Sequence, residues 1–160
     1  MTRKSAAVFV DVQNIYYTTR QAFGRKFDYR KLWQKLTDEF DIVIANAYAI
    51  HRGDDQQLKF QNALKTIGFT VKLKPYIQRK DGSAKGDWDV GITIDIMEYS
   101  SKSDIIVLAS GDGDFDILIS RIRTLHNNEI EIYGVANLTA NSLKNIASNF
   151  FPISHELLLS

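Results

Sequence analysis

The sequence predicts an α/β fold with a mostly parallel sheet that helices cover on both faces. Short runs rich in β-branched residues alternate along the chain with longer amphipathic stretches, and the short runs are almost continuously apolar. No internal repeat or low-complexity segment interrupts this alternation. Continuous apolar strands are typical of parallel sheets, because both faces of such a sheet are packed against helices.

Two strands and one helix are predicted in the first third of the chain. Residues 6–10 (AAVFV) are apolar throughout and predict a buried strand. Residues 30–40 predict a helix, because apolar side chains recur there at helical spacing and Asp28 precedes them as a potential N-cap. Residues 41–50 (DIVIANAYAI) predict the second strand.

A helix, a strand and a loop follow. Residues 54–67 predict a helix that Gly68 closes at a C-cap position. Residues 69–76 alternate apolar and basic side chains, which predicts the third strand. Residues 78–85 are polar and predict a loop.

The second half of the chain repeats the alternation. Residues 87–99 predict a helix with Val90, Ile94 and Met97 on one side, and residues 104–110 (DIIVLAS) predict a strongly buried strand.

The remaining elements complete the pattern. Residues 114–125 predict a helix, and residues 129–135 (EIEIYGV) predict the fifth strand. Residues 139–149 predict the last helix, and residues 150–153 (FFPI) predict an edge strand.

Length and composition limit the class of protein. The 160 residues suffice for one compact domain, and we expect residues 1–160 to form a single one. Lys and Arg number 20 against 19 Asp and Glu, so the net charge is +1. This total excludes a polycation, but it is compatible with nucleic-acid binding when basic and acidic zones are separate. The absence of cysteine excludes disulfides, zinc fingers, iron–sulfur clusters and thiol nucleophiles.

The N-terminal sequence predicts neither a secretory leader nor a membrane span. Its apolar run, residues 6–10, ends at Asp11. A leader needs an apolar run of roughly 7–15 residues and a spanning helix needs about 20. We therefore expect a cytoplasmic protein that does not enter a membrane.

Acidic side chains follow the two most apolar strands. Asp11 ends the first strand, and Asp112 and Asp114 lie in the segment SGDGDF that follows the fourth strand. Ligands of open parallel sheets bind at the carboxyl ends of the strands, where the strand order switches. If the two strands are neighbours, these three carboxylates converge, and the nearby Asp87 and Asp89 open the preceding helix.

Crowded carboxylates indicate a metal site. They repel one another and resist ionisation unless a cation neutralises them. Hard oxygen ligands suit Mg²⁺ or Mn²⁺, which can polarise a phosphoryl oxygen or generate hydroxide.

Helix capping is the alternative role for some of these acids. An aspartate at a helix start is commonly an N-cap, which explains Asp87 or Asp114 taken singly. No helix evidently starts after Asp11, so capping does not explain that residue, and Asn14 is available as a cap instead. Asp95 lies on a very apolar helix, either as a partnered acid near the site or as a further ligand, and we favour a site role.

Several well-known motifs are absent. Asp112, Asp114 and Asp116 resemble the first ligands of an EF-hand loop, but Ile117 and Arg123 stand where that loop requires Gly and Glu. No G-x-G-x-x-G fingerprint, Walker A loop or G-x-S-x-G elbow occurs. The three histidines are scattered and predict no catalytic centre.

Basic residues are concentrated in two zones. The first zone has a single acid, Asp81, and contains Tyr76 with five cations: Lys72, Lys74, Arg79, Lys80 and Lys85. The second zone interleaves cations with aromatics: Arg20, Phe23, Arg25, Lys26, Phe27, Tyr29, Arg30 and Lys31. Such segments suit a single-stranded nucleic-acid backbone with stacked bases. For Lys72 and Lys74 alone, protection of an edge strand against aggregation is sufficient explanation.

Three segments resemble the NYN domain, the LabA-like group of the PIN-like nuclease superfamily. They are VFVDVQN (8–14), KGDWDVGITIDI (85–96) and LASGDGDF (108–115), they occur in the family's order, and the resemblance covers roughly residues 6–153. The resemblance implies a PIN-like three-layer α/β/α sandwich with a mostly parallel central sheet. It also implies a Mg²⁺ or Mn²⁺ site and hydrolysis of RNA phosphodiester bonds by a metal-activated water.

The resemblance also implies roles for individual residues. The catalytic, metal-holding acids would be Asp11, Asp89, Asp112 and Asp114, and Asp95 would be a further metal ligand. Under the ribonuclease hypothesis, Asn14 and Ser110 would orient substrate or a ligand, and Lys85 in the adjacent basic loop would contact a phosphate group. The chain departs from the family pattern at Asp87 or Trp88, where a hydrophobic residue is common, and at Gly113, where serine is commoner.

Three functions are compatible with these residues. The first is a metal-dependent ribonuclease acting on single-stranded RNA, and the second is a regulatory module that binds RNA or metal without turnover. The third, a phosphohydrolase with an aspartyl-phosphate, is disfavoured because Gln13 stands where that chemistry usually places a second acid. The C-terminal apolar residues either seal the core or form a homodimer surface: Phe150, Phe151, Leu157, Leu158 and Leu159.

Overall fold

The computed structural model describes residues 3–51, 53–75, 77–78, 84–85 and 87–160. The strands are β1 (Ser5–Asp11), β2 (Asp41–His51), β3 (Thr70–Pro75), β4 (Ile77–Gln78), β5 (Ala84–Lys85), β6 (Ile105–Ala109), β7 (Glu129–Gly134) and β8 (Asn149–Pro152). The helices are α1 (Val12–Phe23), α2 (Tyr29–Glu39), α3 (Asp55–Ile67), α4 (Asp89–Ser100), α5 (Asp116–His126) and α6 (Asn141–Ile146). Short 3₁₀ turns occupy Gly113–Phe115, Ala136–Leu138 and His155–Leu157.

Six strands form one all-parallel sheet in the order β3-β2-β1-β6-β7-β8. Helices α1, α2 and α3 pack on one face of the sheet, and α4, α5 and α6 pack on the other. The predicted α/β/α sandwich with a parallel central sheet is therefore confirmed.

Strand β1 shows why the strands are continuously apolar. Ala6, Val8 and Val10 face the α1–α3 layer, while Ala7 and Phe9 face the α4–α6 layer. Both sets are buried, because a central strand of a covered sheet has no solvent face.

Helix α1 was not predicted by the sequence analysis. Its buried side is formed by Val12, Ile15 and Thr19, with Phe23 packed against the same core. The polar Thr19 interrupts the apolar pattern, but its hydroxyl donates to the Ile15 carbonyl at 2.7 Å. Helical spacing is therefore present in this segment, with threonine at one of the inward positions.

The side of α4 that packs against the core is not the side that carries Val90, Ile94 and Met97. Val90, Ile94 and Met97 share one side as predicted, but they are 69%, 60% and 48% exposed. The buried residues include Ile92 and Ile96. Because α4 carries apolar residues on both its buried and its exposed sides, their periodicity alone did not identify the side that faces the core.

Element boundaries differ most near the C-terminus. The helix predicted over residues 139–149 is shorter, since α6 ends at Ile146, and the predicted edge strand is confirmed as β8. The predicted loop over residues 78–85 contains part of an antiparallel hairpin, in which β4 pairs with β5. Residues 79–83 lie outside the described residues.

The C-terminal apolar residues seal the core. Leu157 and Leu158 are buried, and Leu158 pairs with Phe27 across an isolated bridge. The Arg25 guanidinium donates to the Leu159 carbonyl at 2.7 Å, which holds the C-terminal segment against the loop between α1 and α2. Of the two roles left open for these leucines, Leu157 and Leu158 take the first, whereas Leu159 is exposed.

In the part of the chain that the structure describes, no helix combines the length and apolar character needed to cross a membrane.

Candidate metal centre

The topology brings the two acid-bearing strand ends together. The chain proceeds outward from β1 through β2 to β3, and outward from β6 through β7 to β8 in the other direction. Strands β1 and β6 therefore flank the switch point of the sheet, where open parallel sheets bind ligands. Asp11 ends β1, and residues 110–114 follow β6.

Three aspartates form a cluster at this point, which we call the acidic triad: Asp89, Asp112 and Asp114. One carboxylate oxygen from each lies within 4.8 Å of the others. Asp89 opens α4, while the Asp112 carboxylate accepts the backbone N–H of Asp114 at 2.9 Å and so caps the 3₁₀ turn. Asp114 is exposed, so the triad opens to solvent.

Asp11 lies behind the triad and is joined to it through Ser110. The Ser110 hydroxyl donates to Asp11 Oδ2 at 3.1 Å and accepts the N–H of Asp112 at 3.2 Å. Asp11 Oδ1 accepts the Asn14 N–H at 3.4 Å and caps α1. The sequence analysis denied Asp11 a capping role because α1 was not predicted, and the structure corrects that point.

Asn14 and Ser110, predicted to orient substrate or a ligand, both make hydrogen bonds within the protein. Asn14 Oδ1 accepts the N–H of Gly111 at 2.8 Å, which ties the start of α1 to the loop after β6. Ser110 has no exposed surface, and its hydroxyl bond to Asp11 orients that carboxylate. Gly111 is tightly placed, since a Cβ there would lie 2.7 Å from the Leu138 carbonyl oxygen.

The electrostatics of the cluster favour a bound cation. Burial raises the pKa of Asp89 to about 7, and two further effects add to it: the charge of Asp112 and a hydrogen bond that the protonated Asp89 carboxyl donates to Asp112. Burial raises the pKa of Asp11 to about 6, although hydrogen bonds from Ser110 and Asn14 oppose the shift. Mutually repelling carboxylates with only oxygen donors fit a hard divalent ion.

Asp95, predicted as a further ligand, is not a member of the acidic triad. Its Oδ2 accepts hydrogen bonds from the Lys72 ammonium and the Tyr48 hydroxyl, each at 2.7 Å. Tyr48 also accepts a bond from Asn46 at 3.1 Å. These contacts join β2, β3 and α4, so Asp95 stabilises the packing of these elements.

The basic zone reaches the site through Lys74. Its ammonium donates to the Asp87 carbonyl at 3.3 Å and lies 4.7 Å from the centre of the Trp88 ring. The Trp88 indole N–H donates to the Ala49 carbonyl at 2.8 Å and so fixes the entry to α4. The sequence analysis assigned Trp88 no role, although its position between Asp87 and Asp89 could have indicated that it lies at the site.

Lys85 lies on β5, but its side chain is outside the described residues, as are Arg79 and Lys80.

Comparison with known proteins gives three findings. A family model of the NYN domain matches residues 5–155. The chain is 28% identical over 156 residues to the low amplitude and bright protein LabA of Synechococcus elongatus, covering 92% of this chain and 83% of LabA. It also resembles the crystal structure of a protein of unknown function from Vibrio parahaemolyticus, with a TM-score of 0.94 and 48% identity, covering 98% of this chain and 97% of that one.

Proposed function

Because the chain belongs to the NYN domain family, whose fold is of the PIN-like nuclease type, we propose that the protein is a metal-dependent ribonuclease. The observation that carries this proposal is the acidic triad at the switch point of the sheet. The proposed substrate is single-stranded RNA, hydrolysed at its phosphodiester bonds. We further propose that residues 1–160 act as one domain and that the protein works in the cytoplasm.

Mg²⁺ or Mn²⁺ is the proposed cofactor. Asp89, Asp112 and Asp114 would hold the ion directly, and Asp11 would hold it directly or through water. When bound, such an ion lowers the pKa of a coordinated water and polarises a phosphoryl oxygen.

The protein's own groups position the reactants. Ser110 links the Asp11 carboxylate to the backbone N–H of Asp112, and Asn14 fixes the loop that carries Asp112. Lys74, beside the N-terminus of α4, supplies a cation near the site for a phosphate group of the RNA backbone. Lys85 is proposed to add a second such contact.

The test is cleavage of end-labelled, unstructured RNA in the presence of Mn²⁺. Asp89→Asn and Asp112→Asn keep the shape of each side chain but remove a charge from the metal site. We expect each to lower the cleavage rate by at least about 100-fold, the scale of losing electrostatic stabilisation in an active site. Asp38→Asn, an exposed change on α2, is the matched control and should cleave like the wild type.

Two results would overturn the proposal. Undiminished cleavage by the purified Asp89→Asn/Asp112→Asn double variant would identify a contaminating ribonuclease. Binding of Mn²⁺ and RNA by the wild type without cleavage, measured by calorimetry, would show instead a non-catalytic binding module.

A further inference from the structure

A groove of about 520 Å³ lies beside the candidate metal centre, on the α1–α3 side of the sheet. We call it the aromatic groove, after the rings among its lining residues: Tyr16, Tyr17, Phe27, Tyr29 and Phe60. Its volume lies within the range of roughly 300–1,000 Å³ that is usual for small-molecule pockets. The groove therefore has room for a ligand of about the size of a nucleotide.

The groove and the metal centre share the first turn of α1. Val12 and Gln13 line the groove, and they directly follow Asp11. Burial raises the pKa of the Tyr29 hydroxyl, and the charge of Asp11 raises it further, which places Tyr29 within electrostatic reach of that carboxylate. The groove thus begins at the residues that follow Asp11, which is joined to the acidic triad through Ser110.

The aromatic lining has a rigid floor and an accessible wall. Tyr29 packs edge-on against Phe27 and Phe60, with ring centroids 5.0 and 5.6 Å apart. Tyr16 and Tyr17 form the wall, and they are 43% and 50% exposed. Exposed rings beside a cavity offer π-faces on which a planar ligand can stack.

The polar groups around the groove suit a ligand that combines a planar ring with a negative charge. Lys26 and Arg30 are exposed lining residues. The lining acids Asp28 and Asp54 accept backbone N–H bonds at the starts of α2 and α3, so the positive ends of the helix dipoles offset their charges. Arg20 extends the positive zone, since its guanidinium donates to the Tyr16 hydroxyl at 3.0 Å.

We propose that the aromatic groove binds an unpaired nucleobase of the RNA whose phosphate lies at the acidic triad. Stacked rings with cations at the rim are the combination that single-stranded nucleic acid requires. An apolar peptide side chain would use the rings but not the cations. The identity of the ligand as RNA rests on the proposed function, but nucleotide binding in the groove needs no cleavage.

The experiment measures nucleotide binding without divalent metal. Uridine and adenosine monophosphates are titrated into the protein by calorimetry, and ribose 5-phosphate serves as the probe that lacks a base. We expect ribose 5-phosphate to bind at least about 10-fold more weakly, since stacking of one base contributes on the order of 1–3 kcal/mol.

Variants locate the site. Ala63 is exposed on α3 and lines the groove, so Ala63→Trp fills the groove without entering the core. We expect it to weaken monophosphate binding at least about 10-fold, whereas the neighbouring exposed change Asn62→Trp leaves binding unchanged. Tyr17→Leu removes a stacking ring and should lose about 5-fold or more, whereas Tyr17→Phe keeps the ring and should bind more tightly than Tyr17→Leu.

The outcomes separate this inference from the proposed ribonuclease activity. Equal affinity for ribose 5-phosphate and the monophosphates, or full binding by Ala63→Trp, overturns the groove proposal even if the protein cleaves RNA. Absence of cleavage with base-dependent binding retained overturns the ribonuclease proposal and supports the groove. Tight binding of an apolar peptide that Ala63→Trp abolishes, without nucleotide binding, identifies a protein partner and overturns the groove proposal.

Discussion

Ser110 is completely buried and yet contacts two acids of the candidate metal centre. Its hydroxyl donates to Asp11 and accepts the N–H of Asp112, so one oxygen sets the relation between the ends of β1 and β6. Side chains of this kind matter at active sites because displacements of about 1 Å in a reacting group can be costly.

Ser110→Ala tests this positioning role. The change leaves the Asp11 carboxylate and the Asp112 N–H without this partner, which should lower the free energy of unfolding by about 1–3 kcal/mol. We expect the RNA cleavage rate to fall at least about 10-fold while the Mn²⁺-dependence remains. Ser103→Ala, which removes a 2.8 Å bond to the Tyr99 carbonyl away from the site, is the matched control for stability. Equal cleavage by both variants would contradict a positioning role for Ser110.

Glu131 is a buried acid that lies away from the metal centre. It lies on β7 and is 7% exposed. Burial raises its pKa to about 7, the charge of Glu39 raises it further, Lys35 opposes the shift, and Glu129 adds slightly to it. Because the usual pKa is 4.5, the stabilising contribution of the neutral form is full below pH 4.5 and is lost as the pH rises through about 7.

Glu131→Gln should therefore stabilise the protein at alkaline pH. A neutral amide avoids the free-energy cost of burying a charged carboxylate. A gain of about 1 kcal/mol in the free energy of unfolding corresponds to a rise of roughly 2–4 °C in Tm for a chain of this size. Thermal unfolding at several pH values measures this, and the gain at pH 8 should vanish below pH 4.5. Glu156→Gln, an exposed change, should have no such effect. A lower Tm for Glu131→Gln at pH 8 would show that the charged carboxylate is favourably paired.

At the scale of elements, α4 carries acids with two different roles. Asp89 opens the helix at the triad, whereas Asp95 lies further along it and pairs with Lys72 and Tyr48. The ion pair is half-buried, with 15% of the Asp95 side chain and 37% of the Lys72 side chain exposed. Helix α4 is thus fastened to β2 and β3 by one acid and presents the other to the site.

Asp95→Asn separates these two roles. The variant keeps a hydrogen-bonding group but leaves Lys72 without its opposite charge, so we expect a loss of stability on the order of 1–3 kcal/mol. We expect Mn²⁺ affinity, measured by calorimetry, to stay within about 2-fold of the wild type. By contrast, Asp89→Asn should weaken Mn²⁺ binding at least about 10-fold. A comparable loss of affinity in Asp95→Asn would restore Asp95 to the metal site.

The sequence predicted some secondary-structure elements well and others poorly, for identifiable reasons. The buried strands were recognisable because two-sided burial leaves them continuously apolar, and the caps Asp28 and Gly68 marked the limits of their helices. Helix α1 was missed because Thr19 occupies an inward position, and the inward side of α4 was ambiguous because that helix is apolar all round. In both cases tertiary packing decides a question that local periodicity leaves open.

At the scale of the whole molecule, the order of the strands determines where the candidate site forms. The acids after β1 and β6 could be recognised from the chain, but their meeting depended on the two strands being neighbours. The scaffold contacts of Asn14 and Ser110 were not predictable, because they depend on distances between segments about a hundred residues apart in sequence. The charge total of +1 likewise concealed the separation of an acidic centre from basic flanks.

The central place of β1 has a consequence for how the protein is made. Asp11 and Ser110 are 99 residues apart in sequence, so their hydrogen bond closes a very long loop. Contacts between residues so far apart in sequence form slowly, because closing the intervening loop costs conformational entropy before the contact can stabilise the fold. During synthesis, the emerging N-terminal segment can pair β1 with β2, but it lacks the acids that follow β6. The unfinished chain therefore lacks the assembled acidic triad, which forms only after β6 and the residues that follow it have been added.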